Sequence, residues 1–180
     1  SGCAMLALIL IGFSSGLIYD SMLVLIIGST LGFVIFNLGF LGKKRGVFLG
    51  DSGSNLIGFW VAWIAVYASQ NQNYFIEPIT MLWFISIPLL DCVGLIFSRI
   101  KKGLSWSTAG RDHIHHKLMK KFTSRQTLII ILAITFITGL FGIFIEIIAS
   151  SVVSSILFLT YAMMYYVLTG FVKIKHLTNN

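Results

Sequence analysis

The chain has 180 residues, 57% of them hydrophobic and only 11% charged, with a mean hydropathy of +0.91. That is far more apolar than one soluble core requires and places the chain among integral membrane proteins. The net charge of +7 does not mark a nucleic-acid binder, because the basic residues are divided among short connections and form no basic helix or aromatic platform for bases.

Apolar stretches of about 20 residues cross a bilayer. In chain order the sequence predicts about six: Cys3 to Ile18, Ser21 to Leu38, Ser54 to Ser69, Ile79 to Phe97, Thr127 to Ile148 and Ser151 to Val172. The predicted fold is an all-α polytopic membrane bundle. Within the second stretch, Gly28-Ser29-Thr30-Leu31-Gly32 has the small-residue spacing of close helix packing. Cys3 and Cys92 fall in different stretches and read as small buried hydrophobes rather than a disulfide or metal pair.

All 13 Lys and Arg lie in alternate connections: Lys43, Lys44 and Arg45, then Arg99, Lys101, Lys102, Arg111, Lys117, Lys120, Lys121 and Arg125, then Lys173 and Lys175. Basic short loops mark the cytoplasmic face, so even-numbered spans should end there. Attraction to anionic lipid headgroups accounts for most of these charges. The opposite connections hold Asp20, Gln70 to Asn73, Glu77 and Glu146 and read as plain turns.

Two polar motifs fall on the basic side. Leu49-Gly50-Asp51-Ser52-Gly53-Ser54 leads into an apolar helix. Its simplest role is an N-cap; the same geometry can bind an anion at a helix start, with two glycines letting the backbone approach a ligand and Asp51 offering a hard oxygen to Mg²⁺. The second motif is His113-Ile114-His115-His116, beside Arg111 and Asp112. It lacks the four ligands of a structural zinc site and the spacing of a zinc-protease helix. Hydrogen bonding to phosphate or sugar remains, with Arg111 as a bidentate clamp.

Asp91, in Ile87-Pro88-Leu89-Leu90-Asp91-Cys92, falls in mid-span, where a carboxylate needs a polar partner. Pro88 predicts a kink three residues earlier, and the carbonyls freed there would be partners for a protonated Asp91. Asn37, at the end of the second stretch, reads as a helix C-cap.

Phe36-Asn37-Leu38-Gly39, Val47 to Ser54, Ile87 to Asp91, Lys102-Gly103-Leu104-Ser105 and His113 to His116 together resemble, in order and spacing, the polyprenyl-phosphate N-acetylhexosamine-1-phosphate transferases. That resemblance implies transfer of a sugar 1-phosphate from a UDP-N-acetylhexosamine to undecaprenyl phosphate, with UMP released. The setting it implies is the cytoplasmic face of the bacterial inner membrane, in cell-surface polysaccharide synthesis. It implies Mg²⁺, with Mn²⁺ as an alternative, held by a catalytic Asp51. Phe48 matches an aromatic that stacks on uracil, Asn37 a substrate contact, and His113, His115 and His116 a motif that holds the nucleotide pyrophosphate.

The family's Ser-Pro-Phe and Asp are replaced in Ser105-Trp106-Ser107-Thr108-Ala109-Gly110-Arg111, which bears on sugar preference more than on reaction class. Residues 1–180 are expected to form the C-terminal part of a single transferase domain, with cytoplasmic loops 39–53 and 99–126. The family's fold has about ten or eleven spans, so this piece alone is expected to be inactive. Competing readings are a transporter or channel subunit, with Asp91 and the histidines as an ion path, and a non-catalytic membrane module. Homodimerisation stays open.

Overall fold

The computed structural model describes residues 2–37, 49–70, 76–105 and 113–169. They form eight α-helices and one 3₁₀ turn, with no strand among them: α1 (Gly2–Ser15), the 3₁₀ turn (Leu17–Tyr19), α2 (Ser21–Asn37), α3 (Gly50–Gln70), α4 (Pro78–Phe84), α5 (Ser86–Lys101), α6 (Ile114–Leu118), α7 (Ser124–Ile148) and α8 (Ser151–Leu168). The protein is an all-α membrane bundle, as its composition predicts.

The helix boundaries follow from local chemistry. Gly16, at φ 75°, ends α1 in a left-handed conformation that suits glycine. Asp20 then caps α2, its Oδ1 accepting from the Met22 and Leu23 N–H groups at 2.8 and 3.3 Å. Pro78 opens α4, where a missing N–H costs nothing. A capping box starts α7: Thr123 accepts from the Gln126 N–H, and the Gln126 side chain accepts from the Thr123 N–H at 3.0 Å.

Six spans are expected from sequence. Among the described residues, α7 and α8 are long and apolar enough to cross a membrane, and the bent pair α4–α5 makes a third. The differences have local causes. Helix α1 stops after 14 residues and α2 after 17, and α3, although 21 residues long, opens on the polar run Gly50 to Asn55.

The fourth expected span is broken by an 83° bend between α4 and α5, centred on Ile85, three residues before Pro88. Pro88 has no N–H to offer the Phe84 carbonyl, and its ring crowds that carbonyl. Helical bonding resumes one residue on, with the Leu89 N–H donating to the Ile85 carbonyl at 3.0 Å.

Helix α1 is the centre of one core, with Ala7, Leu8 and Ile11 buried among Val61 and Ile64 of α3 and Met81 and Phe84 of α4. Trp83 of α4 centres a second. It is fully buried, donates Nε1–H to Ser154 Oγ at 3.1 Å and meets Phe141 and Phe158 edge-on. Helices approach closely at Gly139 and Gly142 of α7, where a Cβ would lie 2.5 Å from Leu10 Cδ1 and 2.5 Å from Trp83 Cβ respectively.

The packing expected at Gly28 and Gly32 is not found: a Cβ at either would meet nothing within 4 Å among the described residues. The expectation of buried cysteines is also corrected. Cys3 is half-buried and Cys92 exposed, and both are free thiols. Cys92 follows the inward-facing Asp91, and one helical step of about 100° carries it to the outer face.

Candidate functional site

Packing contacts fix which helix ends lie together. Gly2 of α1 sits against Leu128 and Leu132 in the first turns of α7, and Leu10 against Gly139, so α1 and α7 run in the same direction. The start of α2 meets Trp63, Ile64 and Tyr67, late in α3, so Asn37 at the end of α2 and Asp51 at the start of α3 lie at the end of the bundle where α7 begins. Helix α6 joins them there, because Lys117 Nζ donates to the Thr169 carbonyl at the end of α8 at 2.8 Å.

Lys117, Lys120, Lys121 and Arg125 also lie at this end, and Arg99, Lys101 and Lys102 follow Asp91 along α5. At the other end, the Glu77 N–H donates to Glu146 Oε1 at 2.9 Å, and Asp20 caps α2. The two polar motifs therefore share one end of the bundle, as the charge pattern predicts.

The Asp51 motif forms the first turn of α3. Gly50 has φ 66°, a left-handed conformation that a side chain would strain. The space left by Gly53 is filled by the protein itself: a Cβ there would lie 2.6 Å from Leu49 Cδ1, so this glycine accommodates Leu49 rather than opening the backbone to a ligand. Asp51 is exposed within the turn instead of capping it. Its backbone carbonyl accepts from Ser54 Oγ at 2.9 Å, and among the described residues no hydrogen bond engages its carboxylate. Beside this turn, a groove of about 460 Å³ runs between α2 and α3, lined by Ile26, Thr30, Phe33, Gly53, Ile57 and Trp60.

The histidine motif is built on Asp91. Its carboxylate is buried, at 7% exposure. Oδ2 lies 2.8 Å from His113 Nδ1, and Oδ1 accepts from the Ile114 N–H at 2.9 Å. Helix α6 has only five residues and no side-chain cap of its own, so a carboxylate from α5 satisfies its first amide. The Ile114 side chain packs against a cluster of Ile87 and Leu90 of α5 with Ala162 and Tyr165 of α8, on which Ile131 and Ile134 of α7 also pack.

His115 stacks on His113 at a ring-centroid separation of 5.4 Å and lies 4.2 Å from His116. Burial first, then the His116 and His113 imidazoles, hold the His115 pKa below its ordinary 6.5, against an opposing pull from Asp91.

The sequence expectation for Asp91 is thus corrected in its partners, which are His113 and the Ile114 amide rather than carbonyls freed by Pro88. Its setting changes too: the helix that carries it starts after the break at Ile85, and its neighbour Leu90 packs in the cluster that also holds Ile131 and Ile134 of α7. The need for a polar partner was legible in the sequence; the 22 residues separating Asp91 from His113 concealed which one.

Asp91 thereby joins the candidate site, from which the sequence reading omits it. Asn37 is the last residue of α2 and exposed. Phe48 and Arg111 lie outside the described residues. Residues 50–53 belong to α3, 99–101 to α5 and 114–118 to α6, so the connections are shorter than the expected loops 39–53 and 99–126. Among the described residues, no three His, Cys, Asp or Glu side chains converge on a metal position, and no hydrogen bond or ring contact joins Asp51 to the histidines.

The described site thus has two parts at one end of a membrane bundle: an exposed carboxylate in the first turn of a helix, and a carboxylate-held imidazole cluster among basic residues. An exposed carboxylate offers hard oxygens to a cation, and imidazoles among basic residues can hydrogen-bond an anion. Residues 1–69 match the sequence model of glycosyl transferase family 4. The chain is 45% identical over 106 residues to the undecaprenyl-phosphate alpha-N-acetylglucosaminyl 1-phosphate transferase of Escherichia coli (strain K12), a match covering 58% of this chain and 29% of that protein.

The proteins of the same name from Yersinia pestis and Haemophilus influenzae are 40% and 39% identical over 118 and 120 residues, covering 65% and 66% of this chain and 32% and 34% of theirs. These matches span about a third of the relatives' length. No solved structure matches. The family resemblance drawn from the motifs is borne out over these stretches.

Proposed function

We propose that this chain forms part of a membrane transferase that passes N-acetylglucosamine 1-phosphate from a UDP-sugar to undecaprenyl phosphate and releases UMP. The reading includes a site facing the cytoplasm across the bacterial inner membrane, at an early step of cell-surface polysaccharide synthesis. The observation that carries it is the placement of Asp51 and the Asp91-held histidines at one basic end of the bundle, in a chain similar to transferases of that name.

In this reaction an oxygen of the lipid phosphate attacks the sugar-bearing phosphorus, and the bond from that phosphorus to UMP breaks. Phosphoryl transfer asks a protein chiefly for positioning and charge neutralisation. Asp51 fits one ligand of Mg²⁺, since its carboxylate is exposed and engaged by no described residue; Mg²⁺ takes one or two carboxylates and completes its shell with water and phosphate oxygens. When bound, the ion neutralises phosphate charge. Mn²⁺ would fit the same oxygen donor.

The histidine cluster, with Arg111, holds the pyrophosphate, Phe48 stacks on uracil, and Asn37 contacts the donor. The isoprenoid chain lies along the apolar α2–α3 groove, which opens beside the Asp51 turn. A transporter reading is less well supported, because the buried carboxylate it would use, Asp91, is committed to His113 and Ile114. The test is Mg²⁺-dependent UMP release by the native protein in membranes supplied with UDP-N-acetylglucosamine and undecaprenyl phosphate. Absence of release with every UDP-N-acetylhexosamine tried would overturn the proposal.

A further inference from the structure

We propose that Asp91 is a positioning residue that locks His113 into the tautomer carrying hydrogen on Nδ1, leaving Nε2 as the one ring atom able to meet a substrate. The argument rests on the division of the carboxylate between two partners. Oδ1 accepts from the Ile114 backbone N–H at 2.9 Å, a group that can only donate, and Oδ2 faces His113 Nδ1 at 2.8 Å. An ionised carboxylate has acceptors only, so Nδ1 must bring the hydrogen. In histidine, the bond made by one ring nitrogen determines what the other can do.

The carboxylate itself cannot drift. It is buried, and the Ile114 side chain is packed into the cluster of α5, α7 and α8 residues, so amide and carboxylate are held from both sides. His113 has a side-chain exposure of 42% with Nδ1 turned toward the bundle, which directs the opposite edge of the ring outward. His115 stacks against it at 5.4 Å with planes 21° apart, limiting rotation about the ring axis. Nε2 accepts a hydrogen bond when the ring is neutral and donates to a phosphate oxygen when the ring is charged. The carboxylate behind the ring favours that charged partner for an anion.

Asp91→Asn makes the inference sharp. One carboxylate oxygen becomes an NH₂ group, and the Ile114 N–H decides which. The remaining oxygen must stay on the amide, so the NH₂ faces His113 Nδ1, where it can only donate. The hydrogen must then move to Nε2. A substitution that barely changes shape should therefore invert the tautomer at the position that faces the substrate. Asp91→Glu keeps both acceptors and should restore the native form.

The nucleotide-binding consequence rests on the transferase reading, whereas the tautomer does not. The test uses the native protein, labelled with ¹⁵N-histidine in nanodiscs at a pH where the ring is neutral, with His113 assigned by its loss in His113→Gln. We expect Nδ1–H in the wild type and Asp91→Glu, and Nε2–H in Asp91→Asn. A wild-type Nε2–H form, or a tautomer unchanged by Asp91→Asn, would overturn the inference.

In the same preparations, Asp91→Asn should raise KM for UDP-N-acetylglucosamine about 10- to 100-fold, the range found for carboxylates that orient ligand histidines, with a smaller change in kcat. Added to His113→Gln, it should cost nothing further. Equal losses with and without the His113 substitution would show Asp91 acting as mere scaffold and overturn the proposal. No turnover of any UDP-sugar by the wild type would refute the transferase reading alone, with the tautomer result still deciding the role of Asp91.

Discussion

Replacing Gly142 with alanine tests the packing that sets the rest of the bundle. The added methyl would lie 2.5 Å from Trp83 Cβ, 2.8 Å from Cγ and 3.0 Å from Cδ1, whereas carbon pairs are comfortable at about 3.5 to 4.0 Å. The helices must therefore part by about 1 Å or Trp83 must turn. Turning is opposed: the atoms struck are the root of the side chain, and its far end is tied to Ser154 and enclosed by Phe141, Phe158 and Tyr161.

Overpacking at a closed site costs about 1–3 kcal/mol, and the alternative of turning Trp83 would break its bond to Ser154 on α8, so a loss at the upper end of that range is expected. Gly28→Ala is the matched control. Its methyl meets nothing within 4 Å among the described residues, and alanine is the better helix former by about 1 kcal/mol. Reversible unfolding in mixed micelles would measure both. Equal stability for the two variants would refute the close approach of α7 to α4.

Three further outcomes follow from the site. Asp51→Asn should lower UMP release by orders of magnitude while leaving membrane insertion intact, because it removes a hard oxygen charge from an exposed turn; wild-type turnover in that variant would reduce Asp51 to a helix-end residue. A cysteine probe at Asn71 should be labelled by an impermeant reagent from outside and one at Lys44 should not, as loop charge dictates; the reverse pattern would move the site to the other face. His115, whose pKa is held below 6.5, should titrate by NMR below that value in the free protein and move upward when pyrophosphate binds. Because the folded ring resists protonation, its contribution to stability is present above 6.5 and is lost as pH falls through the folded-state value; a free-protein midpoint above 6.5 would refute the crowding.

What the sequence makes legible is mostly periodic or punctuated. Uninterrupted apolar runs place the end of α7 at Ile148 and the start of α8 at Ser151, and Pro88 marks the α4–α5 break because a missing N–H acts locally. The Asp51 turn shows itself through glycines flanking a carboxylate before an apolar helix. Pairings across the chain leave no such mark. Small-residue spacing flags Gly28 and Gly32, but only tertiary context decides which glycines lie under a neighbour, as Gly139 and Gly142 do beneath Leu10 and Trp83. Gly53 likewise reads as room for a ligand, yet Leu49 occupies the space.

Asp91 lies on the helix that follows the break at Ile85. In an unbroken helix from Pro78 to Lys101, Asp91 would fall near mid-membrane, where an ionised carboxylate costs about 2.5 to 3.5 kcal/mol on insertion scales. After the 83° bend, α5 starts beside the middle of α7, where Ser86 Oγ lies 3.0 Å from Thr138 Oγ1, and by Asp91 it has reached α6, so the carboxylate meets an amide and an imidazole rather than lipid. Two charge-assisted hydrogen bonds offset its desolvation, and the same two bonds hold the first turn of α6.

The carboxylate is thus the anchor for a short helix that carries His115 and His116 and is preceded by His113. Substrate-facing groups must be held within about 0.5 Å to be effective, and a five-residue helix at the end of a long connection could not hold them unaided. The anchor on α5, the Ile114 side chain against the α5–α8 cluster and the Lys117 contact to the Thr169 carbonyl at the end of α8 attach α6 to the bundle at three points.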